Sequence, residues 1–155
     1  MQSKGVEMDF NGNFMVNLKL DDVRKFFGDI NNVIPCLPGI YDINIDKEIN
    51  CKLKLNISEA GISSMNTISG KMNFKYNLNE NNLGIIGTGR IAGSKIKFNI
   101  DINMIPDDSN TKIEWHSSFD FGIIVKMMGK NKINAISLSN INNTIECFKN
   151  KLNDI

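Results

Sequence analysis

The stretch GKNKINAISLSNINNTIECFKNKL, residues 129–152, decides how this chain is read. It holds no proline, and no glycine after Gly129. Ile133, Ile136, Ile141, Ile145, Phe148 and Leu152 recur at steps of three, four and five residues, the spacing that lines one face of a 3.6-residue helix. At about 1.5 Å per residue the stretch predicts a helix roughly 30–35 Å long, the width of a small domain. Upstream the period changes to two. The simplest arrangement that uses both patterns is a sheet curled around one helix.

Working outward, Met8, Phe10, Gly12, Phe14, Val16 and Leu18 alternate with polar neighbours, which predicts a first strand with its even-numbered face buried and Met15 as the apolar exception outside. Asp21-Asp22 then opens a helix, with carboxylates suited to the free N–H groups and positive dipole end of its first turn. Val23, Phe26 and Phe27 form its inner face and Gly28 ends it. Asp29 caps a second short helix with Ile30, Val33 and Ile34 inward, and Pro35-Cys36-Leu37-Pro38-Gly39 makes a rigid turn.

Strands return at Ile40. Ile43 and Ile45 share one face, followed by Cys51, Leu53, Leu55 and Ile57, with a break at Gly61. The next inward rows are Ile68 to Leu78, Leu83 to Ile91, Ile96 to Met104 and Ile113 to Phe121. Turns are predicted at Asn79 to Asn82 and at Gly93-Ser94, a loop from Pro106 to Asn110, and a connector from Gly122 to Gly129. Consecutive hairpins imply an antiparallel sheet with one wet and one apolar face. No linker or repeat interrupts the pattern, so residues 1–155 read as a single domain.

Composition narrows the function. Hydrophobic residues make up 41% and charged residues 23% of the chain, as in ordinary globular proteins. A net charge of +1, with lysines scattered among acids and asparagines, argues against nucleic acid. No apolar run reaches the roughly 18 residues of a membrane span, and the first residues lack a signal-peptide core, so a cytoplasmic protein is expected. Cys36, Cys51 and Cys147 are odd in number and far apart, so neither a disulfide framework nor a CxxC metal site is indicated. Cys36 reads as a partly buried, inert thiol. With His116 as the single histidine, no metal and no cofactor are expected.

Little in the chain looks catalytic. Strand parity puts His116 on the outer face beside Glu114 and Ser118. Gly87-Thr88-Gly89-Arg90 lacks the trailing glycine and the following helix of a phosphate loop. Its two inward glycines leave room either for the long helix to pack close or for a ligand. A strongly bent sheet crossed by one helix tends to keep an apolar cavity. Ser137, Asn140 and Thr144, at the edge of the helix's apolar stripe, either satisfy backbone carbonyls or hold a ligand's polar head.

These marks, taken in order, resemble a known family. Phe10-x-Gly12-x-Phe14, Leu37-Pro38-Gly39, Gly61-Ile62 followed by Gly70, Gly87-x-Gly89, Thr111-x-Ile113-x-Trp115, and Gly122 with Gly129 before the last helix are similar to the CoxG family of carbon monoxide dehydrogenase subunits. That family belongs to the START-like, or Bet v 1-like (SRPBCC), superfamily. The resemblance implies an α+β helix-grip fold: a seven-stranded curved antiparallel sheet around a long C-terminal helix, with two short helices after the first strand. It also implies an elongated apolar cavity and association with a molybdenum hydroxylase of the carbon monoxide dehydrogenase type. Many members carry a C-terminal membrane anchor, whereas this sequence stops at Ile155 just past the helix, so peripheral attachment through a partner is expected in place of direct anchoring.

The expected function is a non-enzymatic carrier of a hydrophobic small molecule, quinone-like or lipid-like. The expected ligand-binding residues are Phe74, Tyr76, Phe98, Ile100, Trp115 and Phe119 on the sheet, Ile133, Ser137 and Ile141 on the helix, Gly87 leaving space, and Ile34 and Leu37 flanking the entrance. The alternative is a cyclase, aromatase or hydrolase working in the same cavity. That alternative needs ionisable groups inside it, for which Asp101, Glu114 and His116 are the test.

Overall fold

The computed structural model describes residues 7–57 and 67–155. The predicted break at Gly61 and the Gly61-Ile62 mark lie outside the described residues. Seven strands form one antiparallel sheet: β1 (Glu7–Val16), β2 (Ile40–Ile45), β3 (Ile49–Asn56), β4 (Thr67–Asn79), β5 (Asn82–Ile91), β6 (Ser94–Asp107) and β7 (Asn110–Asp120). Their order is β1-β7-β6-β5-β4-β3-β2. From β2 to β7 the sheet is a meander of neighbours, and β1 adds to its far edge beside β7. The chain must therefore cross the end of the sheet between β1 and β2. It does so through α1 (Leu20–Gly28), α2 (Ile30–Val33) and a 3-10 turn, Ile34–Cys36.

Strand parity sets the inner face as the alternation predicts. Along β6, Ile96, Phe98, Ile102 and Met104 are buried while Lys95, Lys97, Asn99 and Asn103 are exposed. On β1 the even-numbered residues Met8, Phe10 and Val16 are buried and Met15 is exposed. Val23, Phe26 and Phe27 form the buried face of α1, and the Asp29 carboxylate accepts from the Asn31 N–H at 3.0 Å to cap α2. Residues 21 and 22 do not cap α1. The N-cap is Lys19, without a side-chain bond, and both aspartates lie inside the first turn, where they meet the dipole only.

Four other elements depart from expectation. The connector before the long helix contains a five-residue helix, α3 (Ile124–Met128), with Ile124, Val125 and Met128 buried. Pro106 belongs to β6, paired with Thr111 on β7. The tight turn before Ser94 is made by Ala92 and Gly93, at φ +50° and +79°. On β2 the ladder slips between Tyr41 and Asn44, and Tyr41, Ile43 and Ile45 are exposed along the sheet edge.

The long helix, α4 (Lys130–Asn153), starts from Gly129 at φ +88° and lies across the inner face. Its two ends are anchored differently. Ile133 is buried in a cluster with Ile124, Val125 and Met128 of α3. At the other end Phe148 and Leu152 enter the main core, where the Phe148 ring meets Phe26 and Phe27 edge-on at 6.3 and 5.4 Å. Cys147 is joined to Cys36 in a disulfide, with Cα atoms 5.4 Å apart. This corrects the expectation of an inert Cys36 and unpaired cysteines: α4 crosses the 3-10 turn, which brings together two residues 111 positions apart. Cys51 is free and buried.

Candidate functional site

Between the ends of α4 the sheet curves away from the helix and leaves a cavity of about 240 Å³. Its floor is the inner face of the sheet, including Phe74, Ile85, Phe98, Ile100, Trp115, Ser117 and Phe119. Its roof is α4 from Ile133 through Ile136, Ser137, Asn140, Ile141, Thr144 and Ile145 to Phe148. Leu37, Pro38 and Ile40 border it where the 3-10 turn leads into β2. Ile136, Ile141 and Ile145 are only half-buried, because they face this space instead of packed side chains. No Lys, Arg, His, Asp or Glu is among the described lining residues.

Of the residues named from sequence, Leu37, Phe74, Phe98, Ile100, Trp115, Phe119, Ile133, Ser137 and Ile141 line this one space. Ile34, Tyr76 and Gly87 do not, and each has a physical reason. Ile34 is half-buried in a turn whose far residue, Cys36, is bound to α4, and the turn reaches the cavity with Leu37 and Pro38. The Tyr76 hydroxyl donates to the Phe27 carbonyl at the end of α1, so the side chain ties sheet to helix. Burial, and secondarily the charge of Asp29, hold its phenol above the ordinary range. Gly87 leaves no free space. A Cβ there would lie 2.3 Å from Phe98 Cζ and 2.7 Å from the Asn73 carbonyl oxygen. The missing side chain makes room for the Phe98 ring from the neighbouring strand, and that ring and the Asn73 carbonyl fill the position. Gly12 plays the same part on β1, where a Cβ would meet the Trp115 ring at 2.8 Å.

Of the polar groups on the roof, Asn140 donates to the Ile136 carbonyl at 3.0 Å and Thr144 to the Asn140 carbonyl at 3.0 Å. This is the local back-bonding that residues of this type make in helices. On the floor, Ser117 is 3% exposed and its Oγ has no hydrogen-bond partner among the described residues. Leaving such a group unpaired costs about 1–3 kcal/mol. Sequence reasoning placed Ser117 on the inward face but gave it no role. The signal was a hydroxyl in an otherwise apolar inward row.

The ionisable residues that would favour catalysis in the cavity lie on the outer face. His116 Nε2 is 3.6 Å from Asp9 Oδ1, with both side chains more than half exposed. Asp101 pairs with His116 across β6 and β7, and Glu114 is 3.2 Å from Lys112. Among the described residues, no group of three His, Cys, Asp or Glu side chains is placed to hold a metal ion. No helix there is long and apolar enough to cross a membrane.

The architecture recurs in solved structures of low sequence identity. A conserved protein from Geobacillus kaustophilus is 12% identical, with a TM-score of 0.79 over 95% of this chain and 96% of that one. A START superfamily protein from Mycobacterium smegmatis is 9% identical, with a TM-score of 0.68 over 94% and 97%. The Zhui aromatase/cyclase from Streptomyces sp. R1128 is 8% identical, with a TM-score of 0.67 over 96% and 94%. At these identities the likeness shows a shared START-like (SRPBCC) fold. No curated protein sequence matches. The sequence itself matches the CoxG subunit family of carbon monoxide dehydrogenase from residue 12 to residue 153, which takes in the second half of β1 and all of α4, and the chain belongs to that family.

Proposed function

We propose that this protein is a non-enzymatic carrier whose cavity takes up a hydrophobic small molecule, quinone-like or lipid-like. In this reading the chain works as one ligand-binding domain. It acts as an accessory or membrane-recruitment factor for a molybdenum hydroxylase of the carbon monoxide dehydrogenase type. The protein is cytoplasmic and reaches the membrane surface through its partner. Family membership and fold support the ligand-binding part of this reading; the family's name supports the partner.

The observation that carries the proposal is a cavity of about 240 Å³ with a described lining free of charged residues. Removing apolar surface from water is worth about 25 cal/mol per Å² before association costs. Burying about 300–400 Å² of ligand and a similar area of the cavity wall is worth about 15–20 kcal/mol gross, which brings micromolar affinity within reach after association costs. The competing reading, a cyclase, aromatase or hydrolase, requires an acid or base inside the cavity. The lining offers hydroxyls and one amide, which weighs against it.

Trp115, the single tryptophan, lines the cavity and reports on its contents. Titration with alkylated quinones and with neutral lipids is expected to quench or shift its emission with a saturating, micromolar curve. Absence of any saturable change across both series, confirmed by calorimetry, overturns the carrier reading.

A further inference from the structure

Ser117 is the one polar residue on the described floor of an apolar cavity. It stands between Trp115 and Phe119 on the inward face of β7, with Phe10 on β1 and Ile100 on β6 as its cross-strand neighbours. The side chains of Phe10, Ile100 and Phe119 carry no hydrogen-bonding group, and the Ser117 Oγ is without a partner among the described residues. Asn140 and Thr144, across the cavity, are engaged with carbonyls of their own helix. A buried hydroxyl surrounded in this way is expected to be bonded to something. The cavity that Ser117 lines is the nearest source of such a partner.

The lining also restricts the chemistry of the partner. With no Lys, Arg or His among the described lining residues, a carboxylate or phosphate would be buried without a counter-charge. With no Asp or Glu there, the same holds for an amine. We propose that Ser117 is the specificity anchor of the site: its hydroxyl bonds a carbonyl or hydroxyl oxygen of a neutral, otherwise apolar ligand whose rings lie against Trp115, Phe98 and Phe119. The proposal rests on the carrier reading and deepens it. It selects ketones, quinones and alcohols over fatty-acid anions and over pure hydrocarbons.

The test pairs two probes of one shape, 2,3-dimethyl-1,4-naphthoquinone and 2,3-dimethylnaphthalene, with decanoate as the anion. Binding is measured by calorimetry to the wild-type chain and to Ser117→Ala. The substitution is expected to weaken the quinone about three- to tenfold, the size of one neutral hydrogen bond. It is expected to leave the hydrocarbon unchanged or bound slightly tighter. Because Oγ makes no bond to the described residues, the variant is expected to melt no lower than the wild type. A second readout needs no variant: the carbonyl stretch of the bound carbon-13-labelled quinone lies at lower frequency than that of the same quinone in dry alkane, where it accepts no hydrogen bond.

Equal effects of the substitution on both probes, or an unshifted carbonyl band, overturn the anchor and leave the carrier reading standing. Decanoate bound as tightly as the quinone overturns the selection for neutral ligands. Failure of both ring probes to bind the wild type removes the carrier reading and the anchor with it.

Discussion

Breaking the covalent tie between Cys36 and Cys147 tests the packing of α4 more directly than any single substitution in the core. The bond closes a loop 111 residues long. In the chain-entropy description, cross-linking a loop of that length removes about 16 cal/mol/K from the unfolded ensemble, or about 4.8 kcal/mol at 25 °C. Native disulfides of small domains usually deliver about 2–5 kcal/mol. For a chain of this size that corresponds to a melting temperature about 5–15 °C lower on reduction. The experiment is urea and thermal unfolding with and without a phosphine reductant, checked against the Cys36→Ala/Cys147→Ala pair. Thiol titration supplies the control. Burial also pushes the Cys51 thiol upward and shields it. The unreduced protein is therefore expected to show no reactive thiol when folded, one in urea, and three after reduction. Three thiols in urea without reductant, or unchanged unfolding midpoints on reduction, would refute the reasoning.

Two further substitutions probe the sheet. Gly87→Ala puts a methyl group where the Phe98 ring lies, and the nearby Asn73 carbonyl belongs to a strand that cannot yield. The expected loss is about 1–3 kcal/mol in urea unfolding, together with weakened binding of any cavity ligand as Phe98 is pushed inward. Tyr76→Phe removes the donor to the Phe27 carbonyl, at a cost of about 1–2 kcal/mol. The phenol is held above its ordinary value in the folded state, so the folded chain keeps its proton where the unfolded chain loses it. Stability is therefore expected to fall as pH rises past about 10, the ordinary phenol value, and this part of the fall should disappear in Tyr76→Phe. An identical pH profile in the variant would contradict that assignment.

The sheet and the long helix were legible because each repeats a simple period over many residues. Six apolar positions on α4 and five on β6 leave little doubt about which face turns inward. The two periods brought eight of the expected residues to one cavity, and the turn before β2 added Leu37. What escaped depends on register and on contacts distant in sequence. Alternation says that Gly87 and Phe98 both face inward, but only the pairing of β5 with β6 sets them opposite each other. Tyr76 has the right parity, yet it sits where β4 passes the end of α1 and finds a carbonyl there. The disulfide joins residues with no local relation. Helix α3 is only five residues long, too short for a 3.6-residue period to emerge, and the flanking glycines read as loop. Pro106 looked like a strand breaker, but the β5 register ends at Asn82 opposite Asn103, so β6 runs on beside β7 alone. With one neighbour, a strand tolerates the missing donor. Asn140 and Thr144 were half legible, since bonding four residues back is a local habit of such side chains.

Helix α4 is mounted like a beam clamped at both piers. One clamp is the apolar knot around Ile133 and α3; the other is Phe148 and Leu152 with the sulfur bridge beside them. The span between, from Ile136 to Ile145, rests on hollow space. Such a beam is expected to yield at its middle, where the least packing resists it, with both piers fixed. In the carrier reading, that is where a ligand would enter. The amides of α4 should accordingly exchange with solvent fastest at mid-span, the reverse of the fraying that helices ordinarily show at their ends.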